Sequence, residues 1–235
     1  MKTAVIKTEA SAIEIPLRSF EESHGITMCC VILNEEPYIK DFLLYYKPYF
    51  KSIIMIDGGS SDRTVEFATP LVDKIIINKF DGHYSNQVNR VMEKVETDWT
   101  MIIDYDERLE KPMLEKLPSL IEQESFDCYA FPRKNFIDGK EVDINYQDRL
   151  HRTYCRRVRP VHGEVVGYKN KMIIPAEDGN FLIHSKSSSR HVVRNKAYLF
   201  YELKFRHEIG APGWQTRDNF DKECPTLNAN NFTVR

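Results

Sequence analysis

Long apolar runs are missing from this sequence. None approaches the ~20 residues a membrane-spanning helix requires, which leaves peripheral contact as the one membrane role still open. Residues 1–22 carry charge throughout and read as no signal peptide. Cysteine is sparse: five residues, Cys29, Cys30, Cys128, Cys155 and Cys224, with no Cys-x-x-Cys pair. An odd count without that spacing argues against a disulfide framework or a zinc site. The adjacent Cys29 and Cys30 lie inside an apolar run and read as buried thiols of a reducing, cytoplasmic setting. A surplus of either charge is also lacking. The net charge is −2, which gives no global basis for binding nucleic acid. Three short motifs are absent as well: Gly-x-Gly-x-x-Gly after the first strand, the Gly-x-x-x-x-Gly-Lys-Ser/Thr loop, and the Gly-x-Ser-x-Gly elbow. Their absence weighs against dinucleotide redox chemistry, P-loop phosphoryl transfer and serine hydrolysis.

What is present is a chain of 235 residues, 42% hydrophobic and 29% charged, enough for one α/β domain with a sizeable core. Short runs of strand formers at 26–33 and 52–56 read as buried strands, 73–78 as a third short strand and 98–104 as a fourth. Between them, 38–48, 63–68 and 83–96 read as helices; the first carries Ile39, Phe42, Leu43 and Tyr46 on one face, the third Val88, Val91, Met92 and Val95. Asn34 precedes the first helix as a cap, and Pro37 suits its first turn. This alternation builds a parallel sheet from βαβ units. In the second half the pattern predicts a helix over 114–123 interrupted by Pro118, and a strand over 127–133. It then predicts a hairpin turn at Asp138-Gly139 and short strands at 149–154, 164–168, 171–174 and 181–184. An amphipathic helix follows over 190–207, with Val193, Ala197, Phe200 and Leu203 on one side. The expectation is one α/β domain over 1–235: a mostly parallel sheet flanked by helices, with a smaller antiparallel part in the second half. Residues 1–24 form an arm or extra edge strand, and 210–235 a loosely packed tail.

Asp104, Asp106 and Glu107 arrive together after the fourth strand. In open α/β sheets ligands bind at the carboxyl ends of strands. Three carboxylates in four residues repel one another unless a cation sits among them. Hard oxygen ligands suit Mg²⁺ or Mn²⁺, above all when a substrate brings phosphates to share the ion. A metal–diphosphate site is the functional reading; a solvated acidic turn is the alternative for the triplet taken alone.

In order along the chain stand Asn34-Glu35-Glu36, then Asp57-Gly58-Gly59-Ser60-Ser61-Asp62-Arg63-Thr64, then residues 80–90 (Phe-Asp-Gly-His-Tyr-Ser-Asn-Gln-Val-Asn-Arg), then Asp104-Tyr105-Asp106-Glu107. This ordered set resembles the family 2 glycosyltransferases of the GT-A fold. Gln147-Asp148-Arg149-Leu150 and Val161-His162-Gly163-Glu164 are similar to the Arg-Leu and Val-His-Glu pattern of the branch resembling lipopolysaccharide-core glucosyltransferases, with Gly163 here separating His162 from Glu164. The resemblance implies a nucleotide-diphospho-sugar transferase (GT-A) fold with a Rossmann-like sheet. Residues 26–107 would bind the nucleotide-sugar and 108–209 the acceptor. The implied activity is transfer of a sugar, with inversion, to the hydroxyl of a saccharide, lipid-linked or protein acceptor, aided by Mn²⁺ or Mg²⁺. Asn34, Glu35, Asp57, Gly58, Ser60, Asp81, Asn89, Asp104, Tyr105 and Arg149 would then hold the donor, Asp57 accepting from base or ribose. Asp106 would bind the metal directly, with Asp104 beside it and His184 or His162 completing the coordination. Glu164 or Asp148 would be the general base that takes the acceptor's proton.

Residue types alone leave other readings open. Asp57 can simply cap a turn, Glu164 can be an exposed strand carboxylate, and either histidine can be structural. Trp99 can stack on a sugar or pack beneath its strand. Arg149, Arg152, Arg156, Arg157 and Arg159, with His151, can meet phosphates or form a solvated basic edge. Residues 185–190, with Lys186, read as a mobile loop closing over the diphosphate. A nucleotidyltransferase fits a similar sheet and acidic site, but would carry a Gly-rich basic loop where Asn34-Glu35-Glu36-Pro37 stands. A non-catalytic nucleotide-sugar-binding protein also fits, and its activity would survive Asp106→Ala.

Overall fold

The computed structural model describes residues 2–8, 11–17, 25–161 and 163–208, with side chains for 25–161 and 163–204. Its strands are β1 (Lys2–Thr8), β2 (Ser11–Leu17), β3 (Ile26–Ile32), β4 (Ser52–Asp57), β5 (Lys74–Ile77), β6 (Trp99–Ile102), β7 (Glu107–Leu109), β8 (Cys128–Ile137), β9 (Lys140–Arg152), β10 (Arg156–Val158), β11 (Glu164–Val166), β12 (Lys171–Ile173) and β13 (Leu182–Lys186). Its helices are α1 (Ile39–Tyr46), α2 (Thr64–Ala68), α3 (Tyr84–Met92), α4 (Lys111–Ile121) and α5 (Ser188–Glu208).

Nine strands form one curled, mostly parallel sheet in the order β5-β4-β3-β6-β9-β8-β13-β7, with β12 added alongside β8. β3, β4, β5 and β6 run parallel, as their continuous apolar runs require. The antiparallel part enters where β9 pairs with β6. Alternation along β3 feeds two cores at once. Ile26, Met28, Cys30 and Ile32 meet α1 (Ile39, Phe42, Leu43, Tyr46) and α4 (Met113, Leu114, Leu117) on one face. On the other, Cys29, with Ile54, Ile56 and Ile102, meets Val88, Val91 and Met92 of α3. Cys29, Cys30, Cys128 and Cys155 are buried free thiols.

Several elements differ from their sequence reading. The N-terminal arm is not an edge of the main sheet: β1 and β2 pair with each other as a separate hairpin. α4 starts at Lys111 and runs through Pro118. An interior proline costs about 3 kcal/mol. Burial of Leu114, Leu117 and Leu120, at about 1.5–3 kcal/mol each, outweighs it. At the predicted hairpin turn, Asp138 and Gly139 have φ of 48° and 77°. Positive φ at both central residues is the twist-matched two-residue turn. The arm leaving it continues as one long strand, β9, which absorbs the separate strand expected at 149–154. From Lys140 to Asp148, β9 pairs with β8 alone, and Val142, Ile144 and Tyr146 are exposed there. Residues 185–190 are not a loop, since β13 extends to Lys186 and α5 begins at Ser188. Among the described residues no helix is long and apolar enough to cross a membrane. The tail at 210–235 lies outside the described residues.

Candidate active site

The loops that follow β3 and β4 are zipped together by their own side chains. Asn34 sits at φ 54°, a left-handed position asparagine tolerates. Its backbone N–H donates to Ser60 Oγ at 2.8 Å, and its Oδ1 accepts from Ser61 N at 2.8 Å. Glu35 N donates to Thr64 Oγ1 at 2.6 Å and Glu36 N to Asp62 Oδ2 at 3.2 Å. Burial would raise the Asp62 carboxyl, but donors from Thr64 and Glu36 outweigh it and hold it below its usual range. Asp57 is buried, and both its oxygens serve this loop: Oδ2 accepts from Gly59 N and Ser60 N, each at 2.9 Å, and Oδ1 from Ser60 Oγ at 2.5 Å. That is the turn-capping arrangement, so a base or ribose reaching Asp57 would share Oδ1. Gly58 carries this loop past β3, where a side chain would make ordinary contact with Phe80 and Leu33.

The acidic loop leaves β6 at the sheet's centre and is braced from behind. Tyr46, fully buried on α1, accepts from Leu109 N at 2.7 Å and donates to Glu107 O at 3.3 Å through the same hydroxyl. Within the loop the three carboxylates part company. Glu107 turns inward and is fully buried. It accepts from Arg149 on β9, from Arg133 on β8 at 3.0 Å, and from Asp104 N at 3.1 Å. Arg149 also grips Asp104 Oδ2 at 2.7 Å. Burial raises the Asp104 carboxyl; Arg149, helped by Arg194, more than cancels this and holds it low. The repulsion read from the sequence is therefore relieved at Glu107 and Asp104 by arginines of β8 and β9.

Asp106 is different. Its Oδ2 lies 3.1 Å from Arg194 Nη1 of α5 and 3.5 Å from His184 Nε2 of β13. Its Oδ1 is buried with no hydrogen-bond partner. Burial pushes this carboxyl up, yet His184, Arg194 and Lys186 together hold it well below the usual range. His184 is buried, with Nδ1 2.6 Å from Asn135 Oδ1. Asn135 orients the ring so that Nε2 is the nitrogen facing the carboxylate. Among the described residues no three His, Cys, Asp or Glu side chains gather as a ready-made metal centre. The pair nonetheless fits a cation: a carboxylate with one unsatisfied oxygen faces an imidazole nitrogen, and both are ligands of Mn²⁺-type ions.

α5 crosses over both loops. Arg190 donates to both Glu35 oxygens, at 2.7 and 2.6 Å, and its guanidinium lies 4.9 Å from the centre of the Tyr105 ring. Burial pushes Glu35 upward, and Arg190 is the main influence against it. Arg194, four residues on, donates to Tyr105 Oη at 2.7 Å. Farther along, Tyr198 and Tyr201 pack edge-on against Tyr84 and Phe80. A side chain on Gly82 would come within 3.0 Å of the Tyr201 ring.

The other sequence candidates are spread around this centre. Asp81 is an exposed partner of Arg90 at 3.1 Å. Asn89 clamps both backbone groups of Arg157, tying α3 to β10. Asp148 pairs with Lys171 at 3.2 Å, and exposed Glu164 with Arg159 at 3.4 Å; neither has a hydrogen bond to the acidic loop. His162 lies outside the described residues. Gly163 is explained by crowding, since a side chain there would come 2.7 Å from Ser85 Oγ. The basic run is not a single solvated edge. Arg149 is buried in the acidic cluster, Arg152 covers the buried Trp99 ring at 4.3 Å, and Arg157 is buried against the backbone oxygen of Asp148. Sequence reasoning missed Arg133, Asn135 and Arg194. Only Arg194 left a signal, its four-residue spacing from Arg190 on a predicted helix.

The family model described as "Glycosyl transferase family 2" matches residues 27–184. The chain is 28% identical over 132 residues to the SPbeta prophage-derived glycosyltransferase SunS of Bacillus subtilis, covering 53% of this chain and 31% of that protein. It is 25% identical over 139 residues to a TPR repeat-containing protein, Synpcc7942_0270, of Synechococcus elongatus, covering 58% and 34%. The chain thus spans about a third of the length of these curated relatives. Among solved structures, S. aureus TarS 1-349 superposes with a TM-score of 0.52 at 11% identity, over 85% of this chain and 78% of that one, a likeness of fold.

Proposed function

The chain belongs to glycosyl transferase family 2, and from that premise we propose that it moves a sugar from a nucleotide-diphospho-sugar to an acceptor hydroxyl, with inversion, assisted by Mn²⁺ or Mg²⁺. The observation that carries the metal-assisted part is Asp106 after β6: its Oδ2 faces the His184 imidazole at 3.5 Å, and its Oδ1 has no partner. Asp106 and His184 would hold the ion, and Asp104 would reach it or the ribose. When bound, the ion supplies Lewis-acid neutralisation of the departing diphosphate. The chain's own residues do the rest. The Asn34–Ser61 zipper sets the nucleotide loop in place before ligand arrives, which lowers the ordering cost of binding. Asn135 fixes the His184 ring through Nδ1. Glu164, exposed on β11, is the proposed general base, with Asp148 the alternative.

TarS has been crystallised with UDP and with UDP-GlcNAc, and a uridine diphospho-sugar is accordingly the first donor to test here. The acceptor class is a saccharide, lipid-linked or protein hydroxyl. The test is a thermal-shift panel of nucleoside diphosphates and nucleotide-sugars, with Mn²⁺ and with chelator. One nucleotide should raise the melting temperature only when metal is present, by the amount mass action dictates. That shift should vanish in Asp106→Asn. No metal-dependent shift with any nucleotide would refute the proposal.

A further inference from the structure

The end of α5 nearest β13 places two guanidinium groups one helical turn apart, each against a buried carboxylate from a different loop. Arg190 holds Glu35 after β3, and Arg194 holds Asp106 after β6. Tyr105 lies beneath both, its ring under the two guanidinium groups and its hydroxyl accepting from Arg194. The helix start is pinned by Ser188 N donating to Asp138 Oδ1 at 3.0 Å, and its later turns by the Tyr198 and Tyr201 contacts. α5 therefore runs over the acidic loop, from the loop after β3 to the segment before α3.

On Asp106 the consequence is direct. Oδ2 faces both His184 Nε2 and Arg194 Nη1, while Oδ1 is shut away from solvent without a partner. A dication bridging Asp106 and His184 would occupy the space on the Oδ2 side, where the guanidinium now lies, and would place its charge against a fixed positive group. Like charges that close in a desolvated site cost several kcal/mol. We propose that Arg194 is an internal counter-cation that occupies the metal position of the free protein, so that a divalent ion binds Asp106 only after Arg194 leaves it and the first turns of α5 loosen. This rests on the metal-assisted reading above and adds to it a competitor encoded in the chain. The side chain of Arg194 is partly exposed, which gives the guanidinium water to move into. Apparent affinity for the ion is then the intrinsic affinity scaled by the fraction of molecules in which Arg194 is away.

The test uses the full chain, Mn²⁺ alone, and no activity readout. Free Mn²⁺ is titrated by electron paramagnetic resonance against wild type, Arg194→Gln, Arg194→Lys and Asp106→Asn, with folding checked by circular dichroism. Arg194→Gln should bind Mn²⁺ about tenfold more tightly, the gain expected if Arg194 is away in roughly a tenth of wild-type molecules. Arg194→Lys should fall nearer wild type, and Asp106→Asn should lose the site. Amide exchange on the wild-type protein, which needs no substitution, should quicken over 188–197 when Mn²⁺ is added. Equal or weaker Mn²⁺ binding by Arg194→Gln, or slower exchange in α5, would overturn the inference and leave the metal-assisted reading standing. Absence of Mn²⁺ binding by every variant, or binding indifferent to Asp106→Asn, would overturn both.

Discussion

Replacing Glu107 by glutamine preserves its shape and removes one charge from a place that water does not reach. The side chain is fully buried and accepts from Arg149, Arg133 and Asp104 N–H. Breaking a buried ion pair by losing one partner costs about 3–5 kcal/mol, because the other charge is stranded. Two observations place this case at the lower end: Arg149 keeps Asp104 at 2.7 Å, and the Arg133 side chain, at 16% exposure, can draw on solvent. The expected loss is about 3 kcal/mol, or about 6–12 °C in melting temperature for a domain of this size. Asp106→Asn, one residue earlier, should cost less, about 1–2 kcal/mol: Oδ2 gives up Arg194 and His184, but Oδ1 has no partner to lose and Arg194 can return to water. Urea unfolding at pH 7, followed by circular dichroism and tryptophan fluorescence with m unchanged, measures both. If Glu107→Gln stays within about 0.5 kcal/mol of wild type, or Asp106→Asn proves the costlier, the division between a structural and a ligand-holding carboxylate is wrong.

Other expectations are as concrete. His151 is buried with Nε2 unpartnered, and burial, with Arg157 adding to it, pushes its pKa down to about 3. The unfolded chain then binds the extra proton first, so stability is full above about pH 6.5 and falls as pH drops, by about 2 kcal/mol at pH 5. His151→Gln should flatten that part of the pH–stability profile, and an unchanged slope would remove His151 as its source. Gly163→Ala should cost about 1–3 kcal/mol through the clash with Ser85 Oγ. A double-mutant cycle with Ser85→Ala should recover part of that loss, and simple additivity would count against the clash. Asn135→Ala should weaken Mn²⁺ binding about 10–100-fold by freeing the His184 ring, with nucleotide affinity in chelator unchanged. Equal metal affinity would detach Asn135 from the site.

The parallel half of the fold was readable because β3 and β4 are apolar on both faces, and only a sheet covered on both sides accepts such strands. The Asp138-Gly139 turn was readable because it needs two left-handed residues in succession. β7 was not readable, being three residues that include Glu107 and Arg108 and become a strand only by pairing with β13. The inward turn of Glu107 was hidden for a related reason: its partners stand 26 and 42 residues away, and local spacing says nothing about them. The acidic loop stood out as three carboxylates after a buried strand, whereas the loops after β3 and β4 and His184 were expected at the site from the resemblance. The structure brings Asp106 and His184 together and sets Asp104 on Arg149 beside them, while Glu164 and Asp148 have no hydrogen bond to the acidic loop. Arg194 escaped notice because helical spacing predicts that it shares a face with Arg190, without saying what that face meets.

The outer stretch of β9 bears on how the protein behaves in concentrated solution. Between Lys140 and Gln147 the strand pairs with β8 alone among the described residues, and Val142, Ile144 and Tyr146 are exposed on it. Such an edge is a template for a second molecule's strand. Lys140, Glu141 and Asp143 interrupt it with charge, a safeguard that screening weakens. High ionic strength should therefore promote self-association through this hairpin, and low ionic strength should keep the protein dispersed.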